Sequence, residues 1–445
     1  MNVNIEKYRD LKKTHSLNMF KKHRLKIFKE TLENFLNCRV IFFYEPTKQI
    51  FDEYGINLLE NPNRGCYNID NNNVIIFIRI LSNNELISGL AILIHKSDID
   101  LYSNFFQKLE GSLTHKFSIA FAENFENSSL QFGDDLIKHI ITNYCSKGFF
   151  DYRKFKHLVD YFIKLSSLTF EGEYFSTGII ITKSLYAYKK RGNHDRNGDL
   201  YTLSKNENLL NTFNIKRRFW YLVDGKHSFY ICNKNLAISD LFIINNSYNN
   251  DNYLDNHSLS KTLKGSDVLL KIENKKNLSI IKSNGLEFLY QECNWKVRNY
   301  NSIKKELSKV IYDHHVINKI LFFILYCSKN FISSVIWIPR DTSNLENYLK
   351  RETLNTLTIE KFSILESQFT NHIFRFLSSD GATIINKDGY VLNYGCIVDM
   401  KSLEIQGVKG AGESAAEVLG HNGISFKISQ DGTIKLFIDS KKYII

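Results

Sequence analysis

Apolar residues recur along this chain at two spacings, and the switches between them mark out alternating helices and strands. Leu17, Phe20, Leu25, Phe28, Leu32, Phe35 and Leu36 repeat at helical intervals opposite Lys21, Lys22, Lys26 and Lys29, which predicts a basic amphipathic helix over 5–36. A strand over 39–44 follows at once, so packing within its own domain is favoured over lying on a membrane surface. The apolar runs 74–80 and 89–95 flank Ser82-Asn83-Asn84-Glu85 and read as a hairpin, and a helix over 101–109 and a strand over 117–122 complete a small α/β unit. A helix ending near Leu168 and a strand over 178–182 open a second unit. In it, 217–222 and 228–232 bracket Asp224-Gly225 as a further hairpin, the stretches 189–199 and 245–256 read as polar loops, and strands follow over 268–272, 278–281 and 286–290.

The last third repeats the alternation more tightly. A helix over 302–327 leads to a strand over 334–338 that Pro339 ends. Ile359, Phe362, Phe369, Ile373 and Phe376 share one face of an amphipathic helix over 358–377, which stops at Asp380-Gly381. Thr383-Ile384-Ile385 and Val391-Leu392 flank Asn386-Lys387-Asp388-Gly389, and Asp-Gly between β-forming residues is a hairpin signal. Asp380 therefore sits at a corner between helix and strand. Strand-like Leu403-Glu404-Ile405 precedes a glycine-rich loop, Gly407 to Ala416, that opens a helix near Ala415. The pattern predicts an α/β fold in three units, 1–145, 146–300 and 301–445, the last a mixed sheet flanked by helices behind two smaller α/β units.

Composition narrows the function classes. With 445 residues, 43% hydrophobic and 24% charged, the chain can bury more than one core. Its net charge of +11 is spread over isolated doublets such as Lys12-Lys13, Arg217-Arg218 and Lys441-Lys442, and there is no zinc-finger spacing, so nucleic acid is not a predicted partner. The 7 Cys stand singly without a Cys-x-x-Cys, a pattern of reduced thiols. The polar, charged start and the short apolar run 320–327 carry neither a signal peptide nor a membrane span, and the expected location is cytoplasmic.

Three short motifs have more than one chemical reading. Gly407 to Ser414 matches the Gly-x-x-x-x-Gly-Lys-Ser phosphate loop except that Glu413 stands where the Lys belongs, and the residues after 416 are too few for the remaining strands of such an NTPase. Gly192-Asn193-His194-Asp195 lacks the companion blocks of a metallophosphoesterase. Asp313-His314-His315 lacks the acidic partners of an Asp-His-His phosphoesterase and falls in a helical pattern.

Taken in order, Asp380-Gly381-Ala382, Gly395-Cys396, the glycine-rich loop and Ser429-Gln430-Asp431-Gly432 resemble the diadenylate cyclase domain family over about 301–445. The resemblance implies that Asp380 lies near the ribose 3′-hydroxyl as the catalytic residue and ligand of Mg2+ or Mn2+, if the site is active. It implies a nucleotide held by Gly381, Ala382, Gly395, Cys396, Gly410, Gly412, Glu413, Ser414, Ser429 and Asp431. The chain departs from the family where phosphates are gripped. Aligned on Ala415-Ala416, the family's Arg-His-Arg falls on Gly412-Glu413-Ser414, and its Ser-Glu-Glu on Ser429-Gln430-Asp431. Each lost Arg is worth roughly 1.5–3 kcal/mol as a charged hydrogen bond. Lys409 and Lys427 are nearby cations that do not occupy the family positions.

Three functions follow from the resemblance. One is a regulatory sensor binding an adenine nucleotide or a cyclic dinucleotide, a reading also implied by the likeness of the middle part to segments preceding degenerate domains of this kind in bacterial sensor proteins. Another is a divergent diadenylate cyclase that joins two ATP into cyclic di-AMP and so requires a homodimer. The third is an interaction module that keeps only the fold.

Overall fold

A computed structural model of the chain describes residues 29–43 apart from 37 and 39, then 66–68, 73–82, 85–95 and 105–112. It describes 129–444 apart from 147–150, 175, 192–197, 210–216, 245–255, 274–276, 292, 344, 355–361, 401–409 and 440. The predicted helix before residue 29, the strand over 117–122, Leu403-Glu404-Ile405, Gly192-Asn193-His194-Asp195 and most of both polar loops lie outside the described residues. The architecture is mixed α/β.

Helix α1 (29–36) leads into β1 (Val40–Phe43), which joins β2 (Cys66–Asn68), β3 (Asn73–Ser82) and β4 (Glu85–His95) in an antiparallel sheet of order β1-β4-β3-β2. The predicted hairpin forms in register from Asn73 opposite His95 to Ser82 opposite Glu85. Helices α2 (105–112), α3 (Ser129–Ser146) and α4 (Tyr152–Ser166) follow. Asp151 starts α4, its carboxylate accepting from the N–H groups of Arg153 and Lys154. A short ribbon, β5 (Thr169–Phe170) with β6 (Glu173–Tyr174), precedes β7 (Thr177–Ile181), α5 (Leu185–Lys189) and β8 (Gly198–Asn208).

The stretch 217–222 is not the hairpin strand that Asp224-Gly225 predicts. Arg217–Tyr221 forms helix α6, because Trp220 buries completely and donates its indole N–H to the Tyr161 hydroxyl at 2.8 Å, while Phe219 stacks on Tyr230. Asp224 still makes the turn: one carboxylate oxygen accepts from the N–H groups of Lys226, His227 and Ser228. Then come β9 (Ser228–Cys232), β10 (Ala237–Ile244), α7 (Asn256–Ser260), β11 (Val268–Glu273), β12 (Asn277–Lys282), β13 (Leu286–Gln291) and β14 (Asn294–Asn299). The sheet they build has eight strands in the order β14-β13-β12-β11-β7-β9-β10-β8, with β7 and β9 parallel. One apolar core joins this sheet to the helices before it: Phe35 of α1, Phe105 of α2 and Tyr144 of α3 all pack on Phe288 of β13.

The predicted helix 302–327 is two helices, α8 (Tyr300–Ser308) and α9 (His314–Lys329). The break falls where Asp313 takes an extended backbone and caps α9 through the His315 N–H, an N-cap chemistry that outweighs the continuous apolar spacing. Strand β15 (Ser334–Pro339) follows. Among the described residues of the predicted helix 358–377, α10 (Thr370–Leu377) is the α-helical part, behind a 3-10 turn at Ser367–Phe369. Phe362 to Ile364 instead bond to the next hairpin: the Val391 N–H donates to the Phe362 carbonyl and the Ile364 N–H to the Gly389 carbonyl. Phe362, Phe369 and Phe376 still meet, so the apolar periodicity reported a real cluster reached by a different backbone path.

Strands β16 (Ala382–Ile385) and β17 (Val391–Cys396) form the predicted Asp-Gly hairpin. Helix α11 (Ala411–Gly420) precedes β18 (Gly423–Ile428), β19 (Ile434–Ile438) and β20 (Lys441–Ile444). The sheet order is β17-β16-β15-β18-β19-β20, with β15 and β16 parallel and the other neighbours antiparallel. One face, with Ile336, Phe426 and Leu436, is covered by α9 and α10; the other, with Trp337, Ile384 and Phe437, is covered by Ala416, Val418 and Leu419 of α11. No helix among the described residues is long and apolar enough to cross a membrane.

Candidate functional site

The corner at Asp380 is built by three donors on one acceptor. The Phe376 carbonyl near the end of α10 accepts from the Ser379 N–H, the Ser379 hydroxyl at 2.6 Å and the Thr383 hydroxyl at 3.0 Å, so chain direction reverses within a few residues. Gly381 then takes φ +103°, and a Cβ on it would stand 2.6 Å from the Gly395 carbonyl carbon. Gly395 itself has φ +66°. Gly381 thus allows a backbone-on-backbone contact between the corner and the end of β17 that a Cβ would block, while Gly395 supplies the left-handed backbone near the end of β17. Ala382 and Cys396 lie opposite each other in the ladder, both buried in the face under α11. The Cys396 thiol is fully covered, and burial pushes it up to about 11. The Asp380 carboxylate is exposed and has no partner among the described residues.

Register carries the site across the sheet. Cys396 pairs with Ala382, Ala382 with Val335, Val335 with Lys427, and Lys427 with Lys435. Paired residues point to the same side, so these five side chains form one row across five strands beneath the start of α11. At a strand spacing of about 4.8 Å, the row runs about 10 Å from the Ala382 corner to Lys427 and about 5 Å further to Lys435.

Helix α11 begins at Gly410, which has extended backbone and offers no side-chain cap; its carbonyl takes the N–H groups of Glu413 and Ser414. The predicted loop residues Gly412, Glu413 and Ser414 thus lie inside the first turn. Glu413 reaches down to Lys435 at 2.5 Å, an ion pair with 15% and 20% of the two side chains exposed. Gly412 rides over Lys427: a Cβ there would be 3.0 Å from the Lys427 Cε and Nζ. The Lys427 ammonium donates to the Ser333 hydroxyl at 2.7 Å. Burial pulls it below the ordinary lysine range, with repulsion from Lys435 adding and Glu413 opposing. Ser414 is buried, so its hydroxyl does not face solvent with its neighbours.

Ser429 and Asp431 occupy the β18–β19 turn at the same end of the sheet. The Gly432 N–H donates to the Ser429 carbonyl, and the Asp431 carboxylate accepts the Thr433 N–H at 2.9 Å. Burial alone would raise the Asp431 carboxyl, but hydrogen bonds from Thr433 and the nearby Lys296 and Lys435 hold it below its usual range. Gly410, Gly412, Glu413 and the turn are therefore brought to the sheet end that also carries Gly381, Ala382, Gly395 and Cys396. Lys435 is the residue that sequence reasoning missed. The signal was present: Asp431-Gly432 centres a hairpin whose symmetry sets Lys427 opposite Lys435.

Metal chemistry has a thinner basis. Among the described residues the one group of three His or carboxylate ligands within 4.8 Å is Asp313, His314 and His315, all exposed and far along the chain from Asp380. Asp380 offers a single carboxylate, so the corner does not assemble a site for Mg2+ or Mn2+ from protein ligands alone.

No family model matches the chain, and no curated protein matches it. Among solved structures it is similar in part to a hypothetical membrane spanning protein from Bacillus cereus, at 17% identity over 29% of this chain and 62% of that one, with a TM-score of 0.23. It is similar likewise to a double mutant of DacA from Staphylococcus aureus, at 18% identity over 29% of this chain and 85% of that one, with a TM-score of 0.23. The chain spans about 62% of the length of the first of these, and neither superposition is close enough to transfer chemistry.

Proposed function

We propose that residues 301–445 act as a regulatory nucleotide-binding unit whose ligand is an adenine nucleotide or a cyclic dinucleotide, lying from the Asp380 corner to the start of α11. The observation that carries this reading is the cross-strand row ending in Lys427 and Lys435 beneath an uncapped helix start. Backbone N–H groups at a helix start and two ammonium groups together favour an anion. The spacing of about 10 Å between corner and Lys427 is that of a nucleoside carrying one phosphate.

Local charge selects among ligands. Lys427 and Lys435 contribute two positive charges and Glu413 one negative, leaving one net positive charge where a triphosphate carries three or four negative ones. At an effective dielectric near 20, unit charges ~6 Å apart interact by ~3 kcal/mol before screening, so each additional unmatched phosphate charge near Glu413 is costly. AMP and cyclic di-AMP are accordingly the preferred ligands, and ATP the poorer one.

The exposed Asp380 carboxylate favours a second reading, a divergent diadenylate cyclase acting as a homodimer with Mg2+ or Mn2+. Incubating the full chain with ATP and Mn2+ and analysing products and retained ligands by mass spectrometry separates the two. The sensor reading predicts retained AMP or cyclic di-AMP and unchanged ATP. Cyclic di-AMP synthesis that disappears in Asp380→Asn would replace it with the enzyme.

A further inference from the structure

A cleft of about 630 Å³ lies between α4 and the β13–β14 hairpin, with no residue of the Asp380 corner in its lining. Its walls differ in chemistry. Tyr290 and Trp295, opposite each other in the ladder with ring centroids 5.1 Å apart, make an aromatic floor that Leu165 and Leu168 extend. His157, Asp160 and Lys164 follow at helical spacing on the α4 rim. Asp160 is already engaged by Lys138 of α3 at 2.9 Å, while Lys164 has no carboxylate partner among the described residues. The rim is thus net cationic over an apolar floor. The Trp295 indole N–H is buried without an acceptor among the described residues, a group that a ligand oxygen satisfies once the ring turns toward the cleft.

The same hairpin has a second working face. Side chains alternate along a strand, so Gln291 and Lys296 point away from the cleft toward the C-terminal unit. Lys296 donates to the Asp431 carbonyl at 3.3 Å and to the Thr433 hydroxyl at 3.4 Å. Gly432, at φ +77°, lies so close to Gln291 that a Cβ would stand 2.8 Å from its amide oxygen. Gln291 is buried with neither amide atom hydrogen-bonded, while the Gly432 carbonyl accepts from the Ser328 hydroxyl, so the turn is held by Lys296 and Ser328 and Gln291 only packs against it. Lys296, next to Trp295 in β14, and Gln291, next to Tyr290 in β13, thus join the hairpin that floors the cleft to the Ser429–Thr433 turn.

We propose that this cleft binds a small carboxylate or other monoanion with a flat apolar body, and that its occupancy is felt at the β18–β19 turn through the two faces of the hairpin. The inference stands apart from the reading of the Asp380 corner, since neither its ligand nor its readout involves a nucleotide.

The test uses the full chain and naphthalene-2-carboxylate, with uncharged 2-naphthamide as the matched probe. Calorimetry is expected to show saturable binding of the acid, weaker binding of the amide, and a roughly five- to tenfold loss of acid affinity in Lys164→Glu with the amide unaffected. Lys164 is exposed, so the variant folds, which an unchanged melting curve verifies. Hydrogen exchange of the segment 429–433 is expected to slow or quicken on saturation with the acid. Equal affinity for acid and amide, indifference to Lys164→Glu, or no saturable binding up to millimolar acid each overturns the site. Binding with unchanged exchange at 429–433 overturns the coupling.

Discussion

Two sheets of this molecule carry charged residues on otherwise apolar faces, and the two settings differ in closure. In the eight-stranded sheet, Lys271, Ser279, Glu287 and Asn256 are each no more than 1% exposed. Lys271 donates to the Asn256 side-chain oxygen at 3.1 Å, and the Asn256 amide and Ser279 hydroxyl both donate to Glu287 at 2.5 Å. In the six-stranded sheet, Lys427 and Lys435 stand at the sheet end, partly exposed, under a helix start with unused N–H groups. The first group is sealed from solvent and bonded largely within itself, both donors to Glu287 meeting one carboxylate oxygen while the other has no hydrogen bond among the described residues, which is the chemistry of structure. The second is open and short of negative charge, which is the chemistry of a ligand site. Burial, more than the residue types, separates them.

The largest expected effect breaks the sealed group. Lys271→Met removes the ammonium of this buried network, linked to Glu287 through Asn256, and should lower unfolding free energy by about 3 kcal/mol in denaturant titration, with ligand binding by the surviving folded fraction unchanged. Next comes Gly381→Ala. Its positive φ and the close Gly395 backbone together should cost about 2–3 kcal/mol and displace the corner, so both melting temperature and nucleotide binding fall. Glu413→Gln sharpens the contrast, because stability and affinity should move in opposite directions. Losing the pair with Lys435 costs about 1–2 kcal/mol, between the exposed and fully buried limits, while AMP binding strengthens as the lysines lose their internal anion. If affinity fell along with stability, the pair would be structural like the buried group in the other sheet.

The smallest effect concerns pH. Burial alone would raise the Asp224 carboxyl, but backbone and side-chain hydrogen bonds from Lys226, His227 and Ser228 bring it down to about 2. A carboxyl depressed on folding adds stability that is complete above its unfolded value of about 4 and is lost as pH falls toward the folded value. Wild type should therefore lose a small increment between those values that Asp224→Ala lacks, read from acid titrations of the melting temperature.

Much of this fold was legible from spacing. The hairpins at β3–β4 and β16–β17, the run β11 to β13 and the strand β15 all follow from alternation and Asp-Gly or polar turns. The misreadings have a common physical source. In 217–222 and 358–377, aromatic residues that pack across the core were assigned to local periodicity, whereas tertiary partners, Tyr161 for Trp220 and Gly389 for Ile364, decided the backbone. At the candidate site, the Asp380 corner and Gly395 could be placed from turn chemistry. The ion pair of Glu413 with Lys435 could not, because it depends on the helix α11 crossing strands that are distant in sequence from its first turn.

The central claim is that the open lysine pair holds a nucleotide phosphate, and calorimetric titration of the full chain and of Lys427→Gln with AMP tests it most directly. The account predicts saturable binding by wild type, roughly tenfold weaker binding by Lys427→Gln, and equal melting temperatures for the two proteins, since Lys427 donates only to an exposed Ser333. Equal affinities for AMP in the two proteins, or no binding by wild type, would contradict it.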